Sequence, residues 1–281
     1  MDLTSINQIR KPADAYQVAY NTGIYKITCP YYLLFLKAVM GGYFASLGGH
    51  AAMVLASYYY KEQHYAASKL AFGVIFSGAL ICIMFTGSDL VTSNCMNFAF
   101  LAYSRKISPL TYVARMLTSL LGNYIGAVLG ALLLTTGTGF FTIGNHQPGA
   151  YLQAVYDFKT SLPFWRVMLS AIGCNSYVCM AVWSCYVTLD AGGQIMATII
   201  LITSFAVAGF EHIVANFYTL HSALFSCTET SFKVVYGSNL VPTLLGNYIG
   251  GSLIIALPLY LFYGRTHNDH HQTEAMESVT V

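Results

Sequence analysis

The feature that most constrains this chain is a set of six apolar runs, each long enough to cross a lipid bilayer. A transmembrane helix needs about 20 consecutive apolar residues. Apolar residues make up 56% of the chain and charged residues only 9%, against roughly 25% charged residues in soluble domains. We therefore predict an all-α membrane protein with six transmembrane helices, near residues 31–57, 69–103, 109–137, 165–189, 192–228 and 240–263.

Two of these runs are interrupted by the same frame of residues. Residues 87–94 read Gly-Ser-Asp-Leu-Val-Thr-Ser-Asn, and residues 209–216 read Gly-Phe-Glu-His-Ile-Val-Ala-Asn. Acidic groups at membrane depth are costly unless they are paired or face a cavity, and matched interruptions in two halves of a chain indicate a transporter's binding site. We predict that the second and fifth helices are broken here and that the breaks line a transport pathway.

A second motif recurs at nearly the same offset. Residues 120–126 read Leu-Leu-Gly-Asn-Tyr-Ile-Gly, and residues 244–250 repeat this heptad without change. Two motifs that share an offset indicate duplicated halves. Each half holds three spans, so the second half enters the membrane from the opposite side, which predicts inverted three-helix repeats over about residues 31–137 and 165–263. The glycines four residues apart in each heptad predict close helix packing.

The residue types within the interruptions predict local roles. Gly87 and Gly209 permit a turn that other residues adopt with strain. We expect Asn94 and Asn216 to cap the half-helices that follow. Capped half-helices of this kind direct the positive ends of their dipoles toward the centre, where they favour an anion.

His212 stands beside an interruption, and Leu90 occupies the matching position in the first half. An imidazole with an unperturbed pKa of about 6.5 exchanges a proton near neutral pH. Two interpretations of His212 stay open, a group that takes part in proton transfer and a buried side chain that only forms hydrogen bonds. We expect the acids Asp89 and Glu211 to anchor the broken loops by accepting backbone amides rather than to carry protons.

Together these motifs resemble those of the formate-nitrite transporter family. Segments 86–94 and 209–216 resemble its broken second and fifth spans, and segments 173–183 and 242–250 resemble its fourth and sixth spans. The resemblance covers about residues 26–263. The phrases Thr-Gly-Ser-Asp-Leu and Glu-His-Ile-Val-Ala-Asn-Phe-Tyr-Thr-Leu are most similar to the lactate-proton cotransporters of apicomplexan parasites.

This resemblance implies an aquaporin-like protomer within a homopentamer in membrane lipid, with one pore in each protomer. It implies proton-coupled transport of small monocarboxylates, namely L-lactate and also formate, acetate and pyruvate, across the plasma membrane. It implies neither an enzyme activity nor a bound cofactor or metal. It also places an apolar constriction at Leu90 and Phe205, for which Val74 and Phe76 are further candidates.

The expected mechanism follows from the cost of moving a charge into lipid. A carboxylate at the bilayer centre is prohibitively costly, whereas protonation of a weak acid with a pKa of about 4 costs roughly 4 kcal/mol at pH 7. Lys26 and Lys159 match the family's vestibule lysines, which would concentrate the anion at the two mouths. The anion would then be neutralised before the constriction and contact a transport centre formed by His212, Thr86, Gly87, Ser88, Asn94 and Asn216.

Other functions match the sequence less well. A channel for formate, nitrite or hydrosulfide within the same family stays open. An aquaporin-like channel for neutral solutes fits the inverted repeat, but it would need an Asn-Pro-Ala pair, whereas Cys95 and Phe217 follow the two asparagines. An intramembrane enzyme would use the two acids as a catalytic pair, but unequal acids in duplicated loops favour anchoring. The net charge of +2 without a basic cluster gives no indication of nucleic-acid binding.

The ends of the chain are polar. We expect residues 1–30 to form a cytoplasmic segment with a short surface helix, residues 31–264 to form the transport domain, and residues 265–281 to form a mobile cytoplasmic tail. Lysine and arginine are somewhat more numerous on the side that holds the N-terminus, which favours a cytoplasmic location for both termini. The histidines of the tail are expected to be solvated rather than bound to a metal.

Overall fold

The computed structural model describes residues 9–141, 146–227 and 229–264. Regular secondary structure in this part of the chain is helical, apart from one isolated bridge between Ile9 and Thr188. Parts of α5 and α10 have wider, π-helical turns. The helices, in chain order, are α1 Pro12–Thr28, α2 Tyr31–Lys61, α3 Tyr65–Thr86, α4 Val91–Tyr103, α5 Pro109–Gly137, α6 His146–Ser161, α7 Phe164–Val187, α8 Ala191–Ala208, α9 Ile213–Ser226 and α10 Phe232–Gly264.

Six of these described helices are long and apolar enough to cross a membrane: α2, α3, α5, α7, α8 and α10. The short helices α4 and α9 continue α3 and α8 after a break, so the second and fifth spans each consist of two half-helices. Gly87 and Gly209 follow the first half-helices with φ values of 66° and 73°. Glycine adopts these left-handed values without strain, and the predicted fold class with two broken spans is confirmed.

The two halves of the protein have the same internal packing. Helix α2 packs on α3 and α5, and its equivalent α7 packs on α8 and α10. The equivalent helices α3 and α8 also pack on each other. Because each half contains three spans, an odd number, the second half enters the membrane from the opposite side, as predicted for inverted repeats. Each repeat is also preceded by a shorter helix, α1 or α6.

Close packing between spans depends on the glycines of the repeated heptad. Gly126 of α5 lies against the carbonyl oxygen of Val39 in α2, and a Cβ at this position would overlap that oxygen. Gly250 of α10 lies in the same way against the carbonyl oxygen of Ile172 in α7. Helix backbones approach this closely only where a side chain is missing, which confirms the predicted packing role of these glycines.

The expected N-terminal helix corresponds to α1. It begins at Pro12, because the first turn of a helix does not need the N–H that proline lacks. Tyr16 and Gly23 on its inner face are buried, and α1 packs on α4 and α7, so it is more deeply embedded than a surface helix. Residues 1–8 and 265–281, which include the expected tail, lie outside the described residues.

Candidate functional site

The first broken loop, residues 87–90, is held by hydrogen bonds to its backbone. The N–H of Asp89 donates to the carbonyl oxygen of Lys37 at 3.1 Å. Asn123 of the repeated heptad donates through Nδ2 to the carbonyl oxygen of Asp89 at 2.9 Å and accepts through Oδ1 from the N–H of Val91 at 2.8 Å. One asparagine therefore satisfies backbone groups on both sides of the break, which would be costly to leave unpaired within a membrane.

The second broken loop is held by the mirrored asparagine. Asn247 donates through Nδ2 to the carbonyl oxygen of Glu211 at 2.9 Å and accepts through Oδ1 from the N–H of Ile213 at 2.8 Å. It also donates to the carbonyl oxygen of Ala171 at 2.8 Å. Sequence analysis gave the heptad only a packing role and missed this function. The sequence did contain a signal for this role, because the two heptads are separated by nearly the same number of residues as the two loops.

The acids of the two loops are buried in ion pairs. Asp89 lies 2.9 Å from Lys26 Nζ, and Glu211 lies 2.8 Å from Lys159 Nζ. The two carboxylate side chains are 2% and 1% exposed, and the two lysine side chains are 13% and 17% exposed. Each lysine thus compensates the buried acid of its own half. The attraction of anions by Lys26 and Lys159 stays a prediction. Both ammonium groups are already paired with carboxylates.

The asparagines of the loop frame do not cap the half-helices. Asn94 and Asn216 lie within the first turn of α4 and α9 and donate to the neighbouring acids, Asn94 to Asp89 at 2.9 Å and Asn216 to Glu211 at 2.6 Å. The capping prediction is therefore wrong. The acids accept these bonds from side chains, which also corrects the expectation that they accept backbone amides. Further donors to the two carboxylates are Ser119 Oγ and Asn239 Nδ2.

We call the small, mainly apolar cavity between the two loops the constriction, after the role that is expected for it. The predicted residues Leu90, Phe76 and Phe205 line a cavity of about 20 Å³ together with His212. The rings of Phe76 and Phe205 meet edge to face with 6.2 Å between centroids. Val74 is 42% exposed and does not line this cavity. It lies two residues from Phe76, about 200° around the helix, so its predicted place in the constriction is wrong.

His212 supplies the polar group of the constriction and is 5% exposed. Its Nδ1 accepts from the N–H of Ala215 at 3.2 Å and caps α9, while Nε2 lies 3.1 Å from Thr92 Oγ1 in the other half. A ring nitrogen that accepts a hydrogen bond carries no proton, so the proton of the neutral imidazole is on Nε2. His212 therefore presents an N–H donor. Its hydrogen-bond partner in the other half is Thr92, which was not among the predicted site residues.

A larger cavity lies on one side of the constriction. It has a volume of about 380 Å³ and is lined by His212, Asn216, Glu211 and Lys159, among others. We call it the Lys159 cavity. It brings together His212 and Asn216 of the predicted transport centre. Asn94 is fully buried, and its Oδ1 accepts from Lys26 Nζ at 2.6 Å.

Thr86, Gly87 and Ser88 line neither of these two cavities, and their place in the transport centre stays a prediction. The hydroxyl oxygens of Thr86 and Ser88 are 2.8 Å apart, and Thr86 Oγ1 donates to the carbonyl oxygen of Cys82 at 2.7 Å. A Cβ at Gly87 would meet open space. These residues close the turn at the end of α3, because their hydroxyl groups bond locally.

Replacement of Asn247 by alanine is expected to lower the free energy of unfolding by about 2–3 kcal/mol, because buried backbone groups of the second loop lose their partners. A denaturant titration of the purified protein in mixed micelles measures this change. Asn21→Ala is the matched control, because Asn21 is exposed and accepts only from Gln17 at 2.8 Å. A loss for Asn247→Ala no larger than for the control would contradict the role of Asn247 in the loop.

Comparison with known proteins adds independent evidence. The chain matches the formate/nitrite transporter family over residues 13–261. A formate-nitrite transporter of Plasmodium malariae is 37% identical over 247 residues, which is 85% of this chain and 79% of that protein. A solved FNT family ion channel superposes with a TM-score of 0.76 at 22% identity and covers 89% of this chain and 97% of its own. A solved pentameric formate channel with formate bound has a TM-score of 0.71 at 22% identity, with coverages of 83% and 97%.

The match to the family covers well over half of the chain and includes both broken loops, both ion pairs and the constriction. The similarity to the solved channels extends over the same helices and supports the aquaporin-like arrangement of two inverted repeats. The ion-paired loops and the constriction between them are thus features of a multi-pass membrane transport protein. This chain belongs to the formate/nitrite transporter family.

Proposed function

We propose that this protein carries small monocarboxylates across the membrane together with a proton, with L-lactate, formate, acetate and pyruvate as cargo. The observation that carries the proposal is the constriction, an apolar neck with room for about one water molecule. A charged group at membrane depth costs about 3 kcal/mol or more. A neck of this kind therefore favours an uncharged acid over its carboxylate.

The anion would lose its charge before it reaches the neck. Within the Lys159 cavity it is still close to water and to the Lys159 ammonium group, which keeps the carboxylate form accessible. Closer to Phe205 the surroundings become apolar, and an apolar environment raises the pKa of a carboxylic acid. The acid would therefore take a proton from water and continue as a neutral molecule.

In the neck, His212 would act as a hydrogen-bond donor to the neutral acid. Its Nε2–H faces Thr92, so the carbonyl oxygen of the acid can accept from His212 while its hydroxyl group donates to Thr92. A proton relay through the ring would require protonation of Nδ1. That step would remove the cap at Ala215 and place a charge in an apolar neck, so we assign the proton to the cargo.

A channel for formate or nitrite is the second candidate. The family description and the formate bound in one of the solved channels favour it. The two candidates differ in the largest cargo that the neck admits. Competition between unlabelled L-lactate and labelled formate separates them, because a channel restricted to formate and nitrite would show no competition by lactate.

The proposed assembly is supported by the same comparison, and the proposed location is the one expected from the sequence. We propose a homopentamer with a pore in each protomer, since a solved channel of this fold is described as pentameric. Residues 31–264 would form the transport domain, in the plasma membrane, with both termini in the cytoplasm. A transport role without catalysis is supported by the relatives, which are named as transporters or channels.

Uptake of labelled L-lactate into proteoliposomes tests the proposal. At a fixed total lactate concentration, each lowering of the external pH by one unit is expected to raise initial uptake about tenfold, because the neutral fraction of an acid with a pKa near 4 rises by that factor. The same measurement with an imposed membrane voltage and no pH gradient is the control. Uptake that follows the voltage and ignores pH would contradict proton-coupled transport.

A further inference from the structure

The Lys159 cavity is much larger than the proposed cargo requires. Its volume of about 380 Å³ lies in the range of roughly 300–1,000 Å³ that is typical of sites for drug-sized ligands. The cavity at the constriction behind it has about 20 Å³. A molecule with fused rings can therefore enter the first space and cannot advance into the second.

The wall of the Lys159 cavity is mainly aromatic. Tyr60 contacts Tyr65 and Tyr151 with ring centroids 5.2 Å and 5.1 Å away, and all three rings line the cavity. Phe72 and Phe158 also line the wall. Aromatic side chains offer large apolar faces that pack well against another flat ring. This wall therefore suits a planar aromatic group better than a short aliphatic chain.

Several polar side chains of the wall form hydrogen bonds or ion pairs within the protein. Ser68 Oγ donates to the carbonyl oxygen of Ala56 at 2.8 Å. The amide group of Asn216 donates to Glu211 at 2.6 Å, and Lys159 is paired with the same carboxylate. Lys159 and Glu211 thus neutralise each other, so a charged group of a ligand is recognised elsewhere in the cavity.

Lys69 supplies that place. It is exposed, lines the cavity, and has no carboxylate within ion-pair distance among the described residues. Its Nζ lies beside the second broken loop, since a Cβ built on Gly209 would be 3.6 Å from it. The charged groups that line the cavity are Lys69, Lys159 and Glu211. Because Lys159 is compensated by Glu211, the excess positive charge belongs to Lys69.

We propose that the Lys159 cavity is a binding site for flat aromatic monocarboxylates, which are held by Lys69 through the carboxylate and by the aromatic wall through the ring. Such ligands would occupy the entrance and block the pathway rather than cross it. The blocking part rests on the proposed transport function, whereas the binding part does not.

Direct binding tests the site without reference to transport. Naphthalene-2-carboxylate and its neutral analogue naphthalene-2-carboxamide are titrated into the purified full-length protein by calorimetry. We expect the carboxylate to bind more tightly than the carboxamide. The Lys69→Met variant is expected to weaken carboxylate binding about tenfold, as for loss of a charge-assisted hydrogen bond, and to leave carboxamide binding unchanged. Equal affinities of both ligands, or unchanged carboxylate binding in Lys69→Met, would overturn the proposal.

Two further variants make the result specific. Lys61→Met removes the same charge at the end of α2, outside the cavity lining, and is expected to bind the carboxylate as the unmodified protein does. Tyr151→Ala shortens the aromatic wall and is expected to weaken both ligands about equally. An equal effect of Lys61→Met and Lys69→Met would show that only the surface charge matters, and would overturn the assignment to Lys69.

Uptake measurements separate binding from blockage. Naphthalene-2-carboxylate is expected to inhibit uptake of labelled lactate or formate, with an inhibitory concentration about tenfold higher in Lys69→Met. Accumulation of labelled naphthalene-2-carboxylate that is faster in vesicles with the protein than in protein-free vesicles would overturn the blocking role. If naphthalene-2-carboxylate binds through Lys69 but the protein takes up no monocarboxylate, the binding site stands and the proposed transport function is wrong.

Discussion

The Lys159→Met variant is expected to lose about 3 kcal/mol of its free energy of unfolding, because Glu211 would remain as an uncompensated buried charge. Loss of one partner of a buried ion pair costs about 3–5 kcal/mol. The lower end applies because the Lys159 side chain is 17% exposed, so the pair is not fully buried. A denaturant titration in mixed micelles measures the loss.

The matched control for this prediction is the double variant Lys159→Met/Glu211→Gln. The amide is neutral and still accepts from Asn216, so most of the lost stability is expected to return. Lys61→Met, which removes an exposed lysine at the end of α2, is expected to change stability by less than about 0.5 kcal/mol. A double variant as unstable as Lys159→Met would show that the ion pair does not account for the effect.

The second large effect is expected in transport, from replacement of His212 by asparagine. An asparagine oxygen can still cap α9 at Ala215, so the half-helix is preserved while the ring donor that faces Thr92 is lost. We expect the initial rate of labelled L-lactate uptake to fall about 10- to 100-fold, the equivalent of one buried hydrogen bond. The remaining flux is expected to keep its increase at lower external pH.

His64→Asn is the control for this measurement, because His64 is exposed at the start of α3 and its side chain makes no capping bond. It is expected to transport at the normal rate. Unchanged uptake by His212→Asn would remove His212 from the pathway. Uptake that no longer responded to pH would instead show that the imidazole carries the proton, contrary to our assignment of the proton to the cargo.

The two broken loops are held by equivalent residues, but they contribute different residues to the constriction. Asn123 and Asn247 hold the two loop backbones in the same way, and a lysine neutralises the acid in each half. The neck, however, receives an apolar Leu90 from one half and a polar His212 from the other. The duplicated asparagines and lysines thus fix the position of the breaks. Because His212 and Leu90 differ, the constriction has a hydrogen-bonding group on one side.

Much of the fold follows from local sequence. The six spans are visible because a helix in lipid needs a long apolar run, and the breaks are visible at Gly87 and Gly209 because the interruption combines a flexible backbone with an acid. The constriction residues Leu90 and Phe205 came from the family resemblance, and the structure brings them together. Val74, two residues from Phe76, shows the limit of this approach, because proximity along a helix does not decide which face a side chain occupies.

The partners of the polar groups were beyond sequence analysis. Lys159 and Glu211 are 52 positions apart, and Thr92 and His212 are 120 positions apart. Thr86 was expected in the transport centre together with His212, whereas the threonine that faces His212 is Thr92. Each candidate partner was chemically suitable, so residue type alone gave no basis for a choice among them.

By itself, the sequence determined a membrane protein of two inverted halves with a break in each, because burial of apolar residues in lipid and the duplication of motifs are properties of the linear chain. Only the tertiary structure decided that Asn123 and Asn247 hold the breaks, that the lysines compensate the acids, and that Thr92 faces His212. The reason is that a buried polar group is stable only with a partner at hydrogen-bonding distance. Which partner reaches it depends on how the helices pack.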